Sequence, residues 1–223
     1  MIKINPMPSP VDPALLATLA EADTNDIGHL RYWGVMAPQL RPISEGMRTV
    51  GTCVTVIAPA LDSSMIPHVL GMTRPGDVLV IDRLGDERHA CLGSVVALAA
   101  QLSGVRGIII DGYATDFPEL RELNLPIWCR GEAAAMSKLL GIAGAINVPV
   151  CCGGVAVTPG DVVLADRFGI CVMPADEVAA TIAAVSEAKQ KRPERLRRVK
   201  SGEKLGAVNG VSAKIEARLN AKT

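Results

Sequence analysis

Residues 75–116 read PGDVLVIDRLGDERHACLGSVVALAAQLSGVRGIIIDGYATD, and the order of apolar and polar runs in this stretch decides the fold. The runs 78–82 and 107–111 are short, rich in β-branched residues and uninterrupted, as strands buried on both faces are. Between them, 93–103 is apolar over a length that suits a helix better than a strand, and it is rich in Ala and Leu. Strand, single helix and strand in this order predict a parallel βαβ unit.

On either side of this unit the alternation continues. Asp12 as a cap and Pro13 in the first turn open a short Ala/Leu helix over 13–23. The β-branched stretch 52–58 reads as a strand, and 65–72 as a helix after a break at Pro67. A helix over 117–123 stops before Leu125-Pro126, and a strand follows over 127–130. The segment 149–174, PVCCGGVAVTPGDVVLADRFGICVMP, holds three short strands separated by Gly-Gly, Pro-Gly-Asp and Phe-Gly turns, a spacing that predicts antiparallel hairpins. The fold class is therefore α/β with mixed sheets. From Ala175 the pattern becomes an amphipathic and increasingly basic helix, broken near Pro193. The expected organisation is one domain over 1–174 and a helical tail over 175–223.

Composition limits the function classes. The 23 basic residues balance the 23 acidic ones and aromatics are 3% of the chain, which leaves neither the basic excess nor the stacking surface of a nucleic-acid binder. The run of Lys189, Lys191, Arg192, Arg195, Arg197, Arg198 and Lys200 reads as a solvated helix or a partner-docking arm rather than an RNA face. The six cysteines form no CxxC pair and sit mostly in apolar runs, so they read as buried thiols of a reducing compartment. The N-terminus has no continuous apolar leader core and no apolar run reaches the roughly 18–20 residues of a membrane span. A cytoplasmic, soluble protein is expected.

Familiar catalytic signatures are missing: there is no GxGxxG after a strand, no Walker loop, no HExxH and no GxSxG. The three histidines, His29, His68 and His89, have no metal-ligand spacing, and His89 reads as a surface residue of a Gly/Asp loop. Placement in the fold carries more. Loops at the carboxyl ends of parallel strands converge on one crevice. Two such loops, Asp82 to His89 and Asp111 to Asp116, are carboxylate-rich. The helix start Gly93-Ser94-Val95-Val96 points unpaired amides at the same space, a seat for a carboxylate or enolate oxygen. Carboxylates beside such a seat suit a hard divalent cation such as Mg²⁺. The plainer reading, in which Asp82 and Asp111 only cap turns, stands beside it.

The order PGDVLVID, Gly93 opening a helix, GIIIDGYATD, ELRELNLPIWCRG, INVPVCCGGVAVTPGDVVLADRFG and a closing VMP resembles the RraA-like family. That family groups the regulator of ribonuclease activity A with the 4-hydroxy-4-methyl-2-oxoglutarate and 4-carboxy-4-hydroxy-2-oxoadipate aldolases, which also decarboxylate oxaloacetate. The resemblance runs from Trp33-Gly34-Val35-Met36 to the tail. It implies an RraA-like β/β/α sandwich, similar to swivelling phosphohistidine domains, assembled as a homotrimer or a dimer of trimers with sites between subunits. It also implies a divalent metal, Mg²⁺ or Mn²⁺, and an arginine that hold the pyruvoyl part of a 2-oxo acid.

Carried over by position, Asp116 is the catalytic metal ligand and Gly93, Ser94, Val95, Val96 and Thr115 bind substrate. Three positions depart from the family pattern. Thr115 replaces its arginine, Ser94 its helix-start acid, and Gly144-Ala145 its Gly-Glu. A guanidinium's bidentate grip on a carboxylate is worth on the order of 2–5 kcal/mol more than a hydroxyl offers. Arg83 and Arg88, on the facing loop, are the candidate cations for the gap, with a solvated loop charge as the plainer reading of each; alternatively the substrate is less acidic. Two functions follow from the resemblance: a metal-dependent aldolase or decarboxylase of 2-oxo acids, and a noncatalytic regulator that binds a partner such as a ribonuclease. A third, methyl transfer, is excluded because the strand-loop-helix glycine signature for S-adenosylmethionine is missing.

Overall fold

The computed structural model describes residues 1–221; the last two residues of the expected tail, Lys222 and Thr223, lie outside them. The chain divides into two compact units, Met1–Ile182 and Ala183–Thr223. In chain order the first unit carries β1 (Ile2–Ile4), α1 (Pro13–Leu19), α2 (Thr24–Gly28), β2 (Arg41–Pro42), β3 (Thr49–Ile57), α3 (Met65–Leu70), β4 (Asp77–Asp82), α4 (Ser94–Leu102) and β5 (Gly107–Asp111). It continues with β6 (Tyr113–Ala114), α5 (Phe117–Glu122), β7 (Ile127–Cys129), β8 (Gly131–Glu132), β9 (Gly144–Ile146), β10 (Val150–Cys152), β11 (Val155–Val157), β12 (Val162–Ala165), β13 (Ile170–Met173) and a 3-10 turn, Ala175–Glu177. The helix α6 (Val178–Lys200) begins there, and α7 (Leu205–Val208) and α8 (Val211–Asn220) belong to the second unit.

The fold is mixed α/β. Nine strands form one sheet with the path β1-β9-β3-β4-β5-β7-β2, and β12 and β13 join it along β3. The expected βαβ unit is its centre: β3, β4, β5 and β7 are parallel neighbours, with Asp82 in register with Asp111. Ile108, Ile109 and Ile110 are fully buried, as are all four apolar residues of Val78–Ile81. Such burial is worth roughly 1.5–3 kcal/mol per large side chain, so this unit fixes the register of everything around it. On the side away from β4, the long strand β3 serves two further partners, antiparallel β12 along Thr49–Thr52 and antiparallel β9 at Val56–Ile57.

Segment 149–174 forms two hairpins, β10–β11 and β12–β13, and therefore four strands rather than three. Two prolines act otherwise than expected. Pro67 lies inside the first turn of α3, where its missing N–H had no carbonyl to reach, so it does not break the helix. Pro193 lies inside α6, which continues to Lys200. Among the described residues of the second unit Val185 alone is buried, and the remainder is half-buried or exposed. Ion pairs such as Arg197–Glu194 and Arg198–Glu203 decorate its surface. No helix among the described residues is long and apolar enough to cross a membrane.

Candidate functional site

The carboxyl ends of β4 and β5 bring the two predicted loops side by side, and the segment that links β4 to α4 runs along the second loop. Cys91 donates its amide to Tyr113 O (3.0 Å), and Thr115 donates to Leu92 O (2.9 Å). This pairing carries Gly93 onto Asp116. A Cβ at Gly93 would lie 2.7 Å from Asp116 Oδ2 and 3.2 Å from Thr115 Cγ2. Gly93 has an extended φ of −130°, so glycine is required there by space and not by backbone conformation.

Asp116 precedes α5 in the left-handed region (φ 60°, ψ 40°), which Asp tolerates better than most residues. Its side chain does not cap α5. It turns instead to the start of α4, where Ser94 N and Ser94 Oγ both donate to Oδ2 at 2.9 Å. The Ser94 amide, then its hydroxyl, hold the Asp116 carboxyl below the usual carboxylate range, with burial opposing and the Thr115 side chain adding to the effect. The vacated cap of α5 is taken by Glu132, whose Oε1 accepts from Phe117 N (3.2 Å).

The amide seat expected at Gly93 to Val96 is thus partly filled by the protein's own carboxylate. Ser94 N is engaged. The amides of Val95 and Val96, in the first turn, have no i−4 partner within the helix and remain the open part of the seat. The Val95 side chain is 79% exposed, whereas Val96 packs against the core.

The other carboxylates are structural pins, as the plainer reading held. Asp82 accepts from Leu84 N (2.7 Å) and Cys151 N (3.2 Å). Asp111 accepts from Arg130 Nε (2.6 Å) and Gly153 N (2.8 Å), tying β5 to the β10–β11 hairpin.

Arg83 cannot replace the family arginine while it is bonded as it is. Its side chain is fully buried and donates to Ala58 O (2.6 Å), Ala60 O (2.5 Å) and Asp86 Oδ2 (2.8 Å). Gly112 is part of this packing, since a Cβ there would meet Arg83 Cγ at 2.6 Å. Arg88 is exposed, and its backbone amide bonds Asp86 at 3.1 Å. His89 is not the surface residue expected: its side chain is 19% exposed, and Nδ1 lies 3.1 Å from Asp86 Oδ1. Burial acts to raise the Asp86 carboxyl, but hydrogen bonds from Arg88, His89 and Arg83 outweigh it and hold it down.

Two further expectations change. Gly144-Ala145 belongs to the buried strand β9, where a Cβ at Gly144 would strike Met65 Cγ at 2.5 Å. Cys151 is exposed; the other five cysteines are buried, and burial pushes Cys91 up to about 12 and Cys129 up to about 11. Sequence reasoning missed Asp62, which is 3% exposed. Its carboxylate accepts from Ser64 and from the amides of Ile142 (2.8 Å) and Ala143 (3.0 Å), which lower its pKa although burial opposes them. With its lone pairs committed to backbone, Asp62 fastens the 138–143 loop and is not a reactive group.

No group of three or more His, Cys, Asp or Glu side chains among the described residues could hold a metal ion. A zinc site of four protein ligands is therefore not what these residues build. They fit a Mg²⁺-type ion, which takes one or two carboxylates and keeps its waters: Asp116 is ionised, fixed through Oδ2, and has no amide donor on Oδ1.

The chain is similar to known proteins in sequence and in fold. The RraA-like family (Aldolase/RraA) matches residues 17–172. A Halalkalibacterium halodurans protein provisionally named 4-hydroxy-4-methyl-2-oxoglutarate aldolase is 39% identical over 135 residues, 60% of this chain and 64% of that protein. This chain thus spans somewhat less than two thirds of that relative. Streptomyces coelicolor RraAS2, described as an unusual member of the RNase ES inhibitor RraA protein family, superposes with a TM-score of 0.73 at 27% identity, covering 84% of this chain and 99% of that one. An uncharacterized Pseudomonas syringae protein shares the fold with a TM-score of 0.76 at 23% identity, covering 91% and 96%. By the span of that family match, this chain belongs to the RraA-like family.

Proposed function

We propose that the chain is a divalent-metal-dependent lyase that cleaves a C–C bond of a 2-oxo acid, by aldol cleavage or decarboxylation. The observation that carries this reading is the Asp116 carboxylate, held ionised by Ser94 N and Oγ at a helix start on the ligand-binding edge of a parallel sheet. The aldolase name carried by the Halalkalibacterium relative supports the same reaction class.

Asp116 Oδ1 is the atom that would hold Mg²⁺, with Mn²⁺ as its substitute. Bound there, the ion supplies Lewis-acid polarisation of the 2-oxo carbonyl. The chain's own residues do the rest. Ser94 fixes the carboxylate's orientation. The Val95 and Val96 amides lie where negative charge on the substrate's carboxylate or carbonyl oxygen can be met by fixed donors. Thr115 offers a neutral hydroxyl where the family pattern implies a guanidinium, which favours a substrate with one carboxylate fewer, or one held by the exposed Arg88. Self-association as a trimer or a dimer of trimers would close the site, whose neighbour on α4, Val95, is largely solvent-facing.

The test compares wild-type chain with Asp116→Ala in a coupled pyruvate-release assay on oxaloacetate and 4-hydroxy-2-oxo acids, with and without Mg²⁺. Metal-dependent turnover in the wild type and its loss in a folded variant are expected; equal turnover in both would remove Asp116 from the mechanism. A second reading, a noncatalytic regulator with a protein partner, is favoured by Thr115 in place of arginine and by the description of RraAS2. It would be preferred if no substrate turns over and calorimetry detects no Mg²⁺.

A further inference from the structure

A cavity of about 540 Å³ shares no lining residue with the Asp116 site, and its walls include Tyr32, Trp33, Asp161, Met173 and Glu177. Its volume falls within the roughly 300–1,000 Å³ of small-ligand sites. Arg31 does not itself line it but contacts two of its walls, Trp33 and Glu177. The Arg31 side chain is 7% exposed, its guanidinium carbon is 5.1 Å from the centroid of the Trp33 ring, and Nη2 is 2.5 Å from Glu177 Oε2. Its Nε and Nη1 are buried without any hydrogen-bond partner. A buried guanidinium with two unmet donors is costly, and such groups ordinarily have an acceptor. The guanidinium sits between Trp33 and Glu177, both walls of the cavity, so an acceptor placed in the cavity is one side chain away from those donors.

Another wall has the opposite need. Asp161 accepts one amide hydrogen bond, from Thr158 N at 2.8 Å. Burial, and then the nearby carboxylates of Glu177 and Asp176, raise its pKa, and a cation beside it would relieve that crowding. A simple anion in this cavity would meet Asp161 and Glu177, and a simple cation would meet Arg31. A zwitterion answers both. Much of the remaining lining, including Val35, Val155, Val172 and Met173, is apolar.

We propose that this cavity binds a free α-amino acid with an aliphatic side chain, its carboxylate on Arg31, its ammonium on Asp161 and its side chain against Trp33 and Met173. Trp33 is 61% exposed, so its ring can turn aside to admit the carboxylate at little cost in buried area. The same feature makes it the reporter, because the other tryptophan of the two, Trp128, is fully buried in the core.

The experiment is a titration of the full chain with L-leucine, read by tryptophan emission. 3-Methylbutylamine and 4-methylpentanoate serve as half-ligands that keep only the ammonium or only the carboxylate. L-Leucine should give a saturable change, with each half-ligand at least about tenfold weaker because one charge-assisted bond is missing. Asp161→Asn should weaken L-leucine by about tenfold or more at unchanged melting temperature, since its amide oxygen can still accept from Thr158 N. Arg31→Lys, which keeps a cation for Glu177 but lacks the guanidinium's extra donors, should do the same; if it fails to fold, Asp161→Asn carries the test. The proposal is overturned if L-leucine gives no saturable change, if the amine binds as tightly as L-leucine, or if Asp161→Asn binds L-leucine unchanged.

Discussion

Gly93→Ala is a one-carbon test of whether the Asp116 site depends on close packing between α4 and the DGYATD loop. The added methyl would lie 2.7 Å from Asp116 Oδ2 and 3.4 Å from its Cγ, against an ordinary carbon–oxygen contact near the upper of these values. The backbone at Gly93 tolerates alanine, because its φ is −130°. Relief must therefore come from the carboxylate, which has to rotate off Ser94 and give up the two bonds from Ser94 N and Oγ. Bonds to a charged acceptor contribute up to about 1.5–3 kcal/mol each when buried; discounted for the partial exposure of Asp116, the pair is worth about 2–3 kcal/mol. If that orientation is what presents Oδ1 to a metal, Mg²⁺ affinity should fall roughly 30- to 150-fold. The assay is calorimetric or Mn²⁺-competition titration of the variant against Gly28→Ala, a position with no atom within 4 Å of an added Cβ. Unchanged metal affinity in a folded Gly93→Ala protein would refute the argument that this contact shapes the site.

Other outcomes follow from the same geometry. Ser94→Ala should move the Asp116 titration upward toward the ordinary carboxylate value, measured by carbon-detected NMR. Because the folded pKa is depressed, the stability from this contact is present above the unfolded value of 3.8 and is lost as pH falls through the folded one, so the variant should flatten the acid limb of the wild-type stability curve below about pH 4. Thr115→Arg should raise oxaloacetate decarboxylation by supplying a bidentate carboxylate partner; no gain in a folded variant would show that the missing guanidinium is not the limiting defect. Gly112→Ala should lower stability by about 1–3 kcal/mol in urea unfolding, because its Cβ would lie 2.6 Å from the stem of the immobile Arg83; an unchanged midpoint would mean that Arg83 is free to shift.

The central βαβ unit was legible in the sequence because its strands are buried on both faces and its helix is long enough to show its own character. The run 107–111 coincides with β5, and 93–103 brackets α4 with its two caps. The strands that escaped notice, β1, β2, β6, β8 and β9, have two or three residues each, too few for any period to register, and their partners are distant in sequence. Ile2–Ile4, for example, pairs with Gly144–Ile146, more than a hundred residues away. At the site, Asp116 could be found by its position in a loop at the end of a strand. The bond that gives it its character could not, since Ser94 and Asp116 meet only once the loop and the helix are packed. Arg83 misled for a physical reason: a charged residue in a Gly/Asp-rich loop ordinarily points to water. The one local signal that it does not is Gly112, whose missing side chain makes room for the arginine's stem.

The central claim is that Asp116 anchors a divalent ion which activates a 2-oxo acid, and one measurement bears on it most directly: pyruvate release from oxaloacetate and 4-hydroxy-4-methyl-2-oxoglutarate by the chelator-stripped chain, before and after Mg²⁺ is restored. The account predicts turnover of at least one 2-oxo acid that vanishes with chelation, returns with Mg²⁺ and is absent from Asp116→Ala. Turnover that ignores Mg²⁺, or that survives in Asp116→Ala, would contradict it.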